Sequence, residues 1–319
     1  MSPVLDSFEL HPVRLPMRHR FRRIDHREAV LVRGPAGWGE FSPFREYPPE
    51  VTARWLASAL ESACSVLPDP LRRRIPVNVT VPAVDPTVAA EIVAESASTT
   101  AKVKVAEPGQ DDLADMARLE AVRRALGPKG RIRIDANGAW DVSTAVARIE
   151  ALATFGLEYV EQPVASLDEM RQVRDSVAVP IAADESVRTA LDPLEVVEAG
   201  AADLLVLKVQ PLGGVQRTLD LAARAGLPVV VSSALETSVG MAAGLAAAAA
   251  LPELEYACGL GTVALLDGDV VDEPLLPREG WLEVRRPEPL PELLERYHPG
   301  REQAGEMLRR VRAAAELLT

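Results

Sequence analysis

The sequence predicts an α/β protein built on a closed, TIM-barrel-like ring of parallel strands, and three observations carry that prediction. From Pro76 onward one pattern repeats: a short run rich in valine or isoleucine, a polar turn, then a segment with apolar residues at helical spacing. The repeat continues through eight units, more than an open sheet of ordinary size needs. Charged or polar residues recur near the carboxyl end of successive runs, the rim on which barrel active sites are built.

The elements follow in order. "FELHPVRLP", "EAVLVRG" and "GWGEFSP" predict a small antiparallel sheet with a glycine-rich turn at Gly34 to Gly37, and "PEVTARWLASALESA" predicts a helix. The eight runs are "PVNVTVPA" at 76, "TAKVKV" at 100, "RIRIDANG" at 131, "LEYVEQP" at 157, "PIAADES" at 180, "DLLVLKV" at 203, "PVVVSSA" at 228 and "LEYACGL" at 254. Between them, "DDLADMARLEAVRRALG" from Asp111 stops at Gly127, and "STAVARIEALATFG" starts on the capping residue Ser143 and stops at Gly156. Strands alternating with helices imply parallel pairing, because parallel neighbours need a crossover. A dinucleotide-binding reading lacks its signature, since no GxGxxG follows the first strand; the Gly213-Gly214 pair is more simply a loop. After about Leu265 the chain is rich in proline and glutamate and ends in the predicted helix "REQAGEMLRRVRAAAELLT". The expected domains are therefore 1–75 as the first part of a second lobe, 76–260 as the barrel, and 261–319 as a segment returning to that lobe.

Composition excludes several function classes. A net charge of −12 argues against nucleic acid as a partner, because phosphate binding wants a basic face. The basic run "MRHRFRRIDHR", Met17 to Arg27, reads as a solvated loop or as a flap that meets an anionic substrate. Two cysteines, Cys64 and Cys258, supply neither a disulfide framework nor a cysteine metal site, and a reducing cytoplasm fits them. The N-terminus, with Asp6 and Glu9, does not read as a signal peptide, and the apolar run Gly240 to Leu251 is too short to span a bilayer; no membrane partner is expected. That run reads as a tightly packed buried helix. The four histidines, His11, His19, His26 and His298, all lie outside 76–260, so the barrel can build no histidine base or zinc-type site. No GxSxG elbow occurs.

The rim residues specify a chemistry. Asp135, Glu161 and Asp184 end three consecutive runs, each about one strand-plus-helix unit from the next. Three converging carboxylates repel one another unless a cation neutralises them, and an all-oxygen set favours Mg²⁺ or Mn²⁺. Lys104 ends the second run and Lys208 the sixth, so the two should face each other across the barrel mouth, with Lys102 two residues before Lys104 on the same face. An ordinary lysine, with a pKa of about 10.4, is almost wholly protonated at neutral pH. Lowering that value by about 3, which is worth about 4 kcal/mol, makes it a base. Burial, the neighbouring ammonium groups and a dication all push in that direction.

The stretches "KVK", "DANGAW", "VEQP", "ADES" and "LKVQPLGG" together resemble the signature set of the enolase superfamily, muconate-lactonizing subgroup, over nearly the whole chain. A lysine base beside Mg²⁺ is a recorded feature of that superfamily. The resemblance implies a (β/α)₇β barrel with an α+β capping domain formed by both termini. Within the subgroup, "PVNVTVPAV", "SSALETSVG" and "CGLGTVALLDGDV" are similar to actinobacterial members that dehydrate 2-succinyl-6-hydroxy-2,4-cyclohexadiene-1-carboxylate to 2-succinylbenzoate in menaquinone biosynthesis. Carried onto this chain, it implies Lys104 as the base that then helps hydroxide leave, and Lys208 as the group stabilising an enediolate. Asp135, Glu161 and Asp184 would be ligands to Mg²⁺, with Mn²⁺ as the alternative. Lys102 and Asn137 would support the site, and Ser232 and Ser233 would donate hydrogen bonds to a small anionic substrate. An N-acylamino acid racemase or dipeptide epimerase would use the same two lysines as alternate acid and base. Dipeptide epimerases usually carry a D-x-D on the last barrel strand, which "EYACGLGTV" lacks. A non-catalytic binding barrel is the remaining class.

Overall fold

In the computed structural model, residues 5–318 are described; residues 1–4 and 319, the outer ends of the two segments expected to pair, lie outside the described residues. The chain begins with a three-stranded antiparallel sheet, β1 (Glu9–Phe21), β2 (Ile24–Gly34) and β3 (Gly37–Phe41), followed by α1 (Pro49–Cys64). Next come β4 (Arg74–Pro76), β5 (Val79–Val81), α2 (Pro86–Ser96), β6 (Thr100–Lys104), α3 (Asp112–Leu126), β7 (Arg131–Asp135), α4 (Val142–Leu152), β8 (Leu157–Glu161) and α5 (Leu167–Ser176). The alternation continues with β9 (Ile181–Ala183), α6 (Glu185–Arg188), α7 (Glu195–Glu198), β10 (Leu204–Lys208), α8 (Val209–Leu212), α9 (Val215–Ala225), β11 (Val229–Ser232) and α10 (Ser238–Ala250). The last elements are β12 (Trp281–Glu283), α11 (Pro291–Arg296) and α12 (Arg301–Ala315).

Strands β5 to β11 form one parallel seven-stranded sheet in sequence order. The predicted eighth strand at 254 is not one. Instead two isolated parallel bridges, Val77 with Cys258 and Ser232 with Gly259, tie that segment to both edges of the sheet. Gly259 packs closely on Ser232, where a Cβ would lie 2.3 Å from Ser232 Oγ. The first run is also shorter than predicted: the Val77 and Asn78 amides donate to the Gly280 and Cys258 carbonyls, and Pro82 cannot donate to a ladder.

Alternation decides what faces where. Ala101 and Val103 join Ile132, Ile134, Val160, Leu205 and Leu207 in the core between the sheet and its helices, which leaves Lys102 and Lys104 on the other face. On the inner side, Tyr159, Ala182, Leu204, Val206 and Val230 pack together. α10 is buried along almost its whole length, as its alanine-rich sequence predicts. One cap differs from expectation: α4 is capped by Asp141, whose carboxylate accepts from Thr144 N, while Ser143 donates to that same carboxylate.

The antiparallel sheet packs against both α1 and the C-terminal helix. Val30, Val32, Phe41, Trp55 and Leu56 share a core with Met307, Val311 and Ala314, and Ala234 and Leu235 join it from beyond β11. The basic run at 17–27 is not a solvated loop but the tip of a hairpin, whose Phe21 and Arg22 reach a cavity lined by Lys102, Lys104 and Lys208. It is the end of β1 and the start of β2, turned at Arg22 and Arg23 with φ of +48° and +64°, and Arg27 is buried. Gly213 and Gly214 open α9, whose first amides donate to Glu61; an internal carboxylate already meets the helix dipole there. No described helix is long and apolar enough to cross a membrane.

Candidate active site

Strand register brings the charged residues together. Lys104, Asp135 and Glu161 are consecutive cross-strand partners on β6, β7 and β8, and Lys208 partners Ser232 across β10 and β11. Asp184 follows β9 directly and opens α6. Asp135, Glu161 and Asp184 are 1%, 0% and 0% exposed.

The sequence leads one to expect three carboxylates facing a common centre. In the structure each accepts a hydrogen bond from a lysine ammonium group. Lys102 Nζ donates to both Glu161 oxygens at 2.9 and 3.0 Å and lies 3.4 Å from Asp135 Oδ2. Lys104 Nζ donates to Asp135 Oδ2 and to Asn137 Oδ1, each at 2.5 Å. Lys208 Nζ donates to Asp184 Oδ2 at 2.5 Å, while Arg188 Nε donates to Asp184 Oδ1 at 3.2 Å. Accordingly, no three of the described His, Cys, Asp and Glu side chains form a cluster poised to hold a metal. The reason is electrostatic: a buried carboxylate takes whichever cation can reach it.

The pKa directions follow from this sharing. Burial alone would push Lys102 down, but Glu161 and Asp135 outweigh it and hold its ammonium above the usual lysine range. Burial lowers Lys104, and Lys102 adds to that against the pull of Asp135. Burial opposes ionisation of Asp135, yet Lys104 and Lys102 hold it well below the usual carboxylate range. Asp184 is likewise brought down to about 2 by Lys208 and Arg188 against burial. Glu161 moves the other way, to about 7, because burial and then Asp135 outweigh Lys102.

Lys102, Lys104, Asp135, Asn137, Lys208, Ser232 and Ser233 line one cavity of about 30 Å³. Glu161 and Asp184 do not line it; they are reached through Lys102 and Lys208. Phe21, Arg22 and Phe44 from the antiparallel sheet and the segment after it complete the wall, with Thr80, Ala234, Leu235 and Thr262. Clefts of about 600 and 300 Å³ open elsewhere, but neither contains any of these lysines or carboxylates. Volume therefore does not locate the site; charge does. The two serine hydroxyls are engaged within the protein: Ser232 Oγ donates to the Gly259 carbonyl at 3.3 Å and Ser233 Oγ pairs with Thr262 Oγ1 at 2.5 Å.

Sequence reasoning missed a circuit joining the two lysines. Asn137, at φ +47°, accepts from Lys104 and donates to Glu185 Oε1 at 3.0 Å; Arg188 binds Glu185, Asp184 and the Tyr47 hydroxyl. Arg188 lies three and four residues beyond two acids, a helical spacing that was the available signal.

Three buried carboxylates at the carboxyl ends of consecutive strands form a hard, all-oxygen donor set suited to Mg²⁺ or Mn²⁺. The chain belongs to the enolase superfamily: residues 87–289 match the family described as Enolase C-terminal domain-like, and residues 13–63 match Enolase N-terminal domain-like. Among its relatives, the o-succinylbenzoate synthase of Thermobifida fusca (strain YX) is 65% identical over 85% of this chain and 86% of that protein. The o-succinylbenzoate synthase of Mycobacterium tuberculosis (strain ATCC 25618 / H37Rv) is 51% identical over 100% of this chain and 98% of that protein. Two solved structures share the fold. Muconate lactonizing enzyme from Pseudomonas fluorescens superposes with a TM-score of 0.80 at 23% identity, covering 93% of this chain and 100% of that one. Dipeptide epimerase from Enterococcus faecalis V583 gives 0.75 at 23% identity, covering 89% and 98%.

Proposed function

We propose that this chain dehydrates 2-succinyl-6-hydroxy-2,4-cyclohexadiene-1-carboxylate to 2-succinylbenzoate, the o-succinylbenzoate synthase activity for which its relatives are named. The observation that carries the proposal is the pair Lys104 and Lys208. They come from strands four apart in the sheet, line one cavity, and are each set against a different buried aspartate.

Lys104, lowered by burial, takes the proton from the ring carbon beside the carboxylate, and the C–H electron pair moves into an enediolate. The ammonium so formed returns that proton to the hydroxyl on the neighbouring carbon as its C–O bond breaks, so water leaves and the ring becomes aromatic. Lys208 keeps its positive charge through both steps and stabilises the anionic intermediate from the other face. Lys102 donates to both Glu161 oxygens and so offsets part of the burial that disfavours its charge, and Asn137 orients Lys104 by accepting one of its N–H bonds. Ser232 and Ser233 exchange their internal hydrogen bonds for contacts with the substrate's succinyl group. Asp135, Glu161 and Asp184 would hold Mg²⁺, which when bound supplies positive charge for the substrate carboxylate as it becomes an enediolate.

The finer architecture belongs to the same proposal. A closed (β/α)₇β barrel is supported by the bridges at Cys258 and Gly259, and a capping domain from both ends by the core that α12 shares with α1 and β2. On that reading 1–75 and 261–319 form the cap and 76–260 the catalytic barrel. The free thiols of Cys64 and Cys258 suit a reducing cytoplasm.

Purified protein with Mg²⁺ should consume the cyclohexadiene, seen as loss of its diene absorbance, with 2-succinylbenzoate formed. A flat trace while N-succinyl amino acids racemise would transfer the two lysines to the racemase reading.

A further inference from the structure

Apart from the ionic cluster, the most constrained part of the cavity wall is the segment after β11. Leu235 lines the cavity with φ of +66°, a left-handed backbone that a bulky side chain keeps only where its surroundings impose it. The constraint comes from the antiparallel sheet. Arg27 on β2 is 2% exposed; its Nε donates to the Leu235 carbonyl at 2.9 Å, and its Nη2 to the Ala234 carbonyl at 3.0 Å and to the Ser42 carbonyl. Its guanidinium carbon lies 4.4 Å from the centre of the Phe44 ring, and that of Arg22 lies 4.3 Å from the same ring. The amide of Ala234 is fixed separately by Glu236 Oε2 at 2.7 Å.

Phe44, Ala234 and Leu235 are therefore three wall residues that share one hidden contact. Arg27 does not line the cavity, and none of its hydrogen bonds goes to a lysine or to a carboxylate of the cluster. Arg27 uses a planar fork, whose Nε and Nη2 reach three carbonyls while its face lies over Phe44; lysine offers a point charge on one nitrogen and does not stack on Phe44 in the same way.

We propose that Arg27 is a positioning residue for substrate binding, which sets one wall of the cavity by holding Phe44, Ala234 and Leu235 in place from the antiparallel sheet. The choice of substrate rests on the dehydratase reading; the contact geometry does not. Because Arg27 is remote from the reacting groups, its loss changes affinity far more than the chemical step.

The test uses the Mg²⁺-loaded full chain and the variants Arg27→Lys and Arg27→Met. With circular dichroism unchanged, KM for the cyclohexadiene should rise about tenfold or more while kcat stays within about threefold. Millimolar guanidinium ion should partly restore KM in Arg27→Met but not in Arg27→Lys. Amide hydrogen exchange should quicken in a peptide covering 233–237. An unchanged KM, a fall in kcat at constant KM, or failure of both variants to fold would each overturn the proposal. If the wild-type protein leaves the cyclohexadiene untouched, the dehydratase reading fails, and Arg27 is judged on hydrogen exchange alone. Faster exchange confined to 233–237 then upholds its role, and unchanged exchange ends it.

Discussion

Asp135 and Glu161 face each other in register across β7 and β8, yet their carboxyl groups are driven in opposite directions. Burial disfavours ionisation of both. Asp135 is shared by two ammonium groups and stays ionised well below the usual carboxylate range, whereas Glu161 has Lys102 against the repulsion of Asp135 and Asp184, and rises to about 7. The row Lys104–Asp135–Glu161 thus sets one cation against two adjacent carboxyl groups, and each member's state depends on its neighbour. Four predictions test that dependence and its surroundings.

Lys104→Ala should cost at least about a hundredfold in kcat, the ordinary contribution of a positioned general base, with an unchanged far-ultraviolet spectrum. Asp135 keeps Lys102 at 3.4 Å in that variant, so the fold loses no charge balance that it cannot replace. In the wild type, kcat/KM should rise with pH through an ionisation below the ordinary lysine value, since burial lowers Lys104 and the neutral amine is the active form. Near-normal turnover in Lys104→Ala would remove it from the mechanism.

Chelation should silence the enzyme, and added Mg²⁺ should restore it. Mg²⁺ should also stabilise the fold by linkage, by about 2.7 kcal/mol at a hundred times its Kd. Asp135→Asn, Glu161→Gln and Asp184→Asn should each blunt the Mg²⁺-dependent rise in melting temperature. Full activity in chelator, with metal content shown by atomic emission to be far below one per chain, would refute the donor assignment.

Lys102→Met isolates the support beneath the site. It removes the ammonium that bonds both Glu161 oxygens and leaves a buried carboxylate uncompensated, which typically costs about 3–5 kcal/mol. Urea titration of chelator-treated protein should show that loss, and adding Glu161→Gln to the same chain should recover much of it. A Lys102→Met protein within about 1 kcal/mol of wild type would show that Glu161 finds its charge balance elsewhere.

The sequence disclosed the site more fully than its enclosure. Lys102 and Lys104 were legible because period-two alternation fixes which face they share, and the carboxylates because the strand repeat fixes where they fall. Arg27 was not: it lies in a run of basic residues where local pattern suggests solvent, and its partners Ala234 and Leu235 are more than two hundred residues away. The eighth strand was misread for a related reason. "LEYACGL" has strand composition, but it pairs only through single bridges, Cys258 to Val77 and Gly259 to Ser232, residues distant in sequence. Local chemistry sets periodicity; long-range packing decides how far each ladder runs.

The joint between the antiparallel sheet and α10 should give the fold a pH dependence of its own. Glu40 on β3 is 2% exposed and accepts from Thr237 N at 3.1 Å, Thr237 Oγ1 at 2.5 Å and Gly240 N at 3.0 Å. Burial, with Glu236 repelling it, raises its pKa to about 7, against the hydrogen bond from Thr237 and the charge of Arg27. A carboxyl raised in the folded state binds its proton there more tightly than in the unfolded chain. Its contribution is therefore fully present below the unfolded value of about 4.3, is lost as pH climbs to about 7, and is constant above that. The loss amounts to about 4 kcal/mol. Glu40→Gln, which cannot titrate, lacks this slope, so its unfolding free energy relative to wild type should climb by that amount between pH 4.5 and 7 and level off on either side. Denaturant titrations of the two proteins at a series of pH values measure it directly. A difference that stays flat across the range would mean that Glu40 keeps its charge throughout, with Arg27 and the α10 amides outweighing burial.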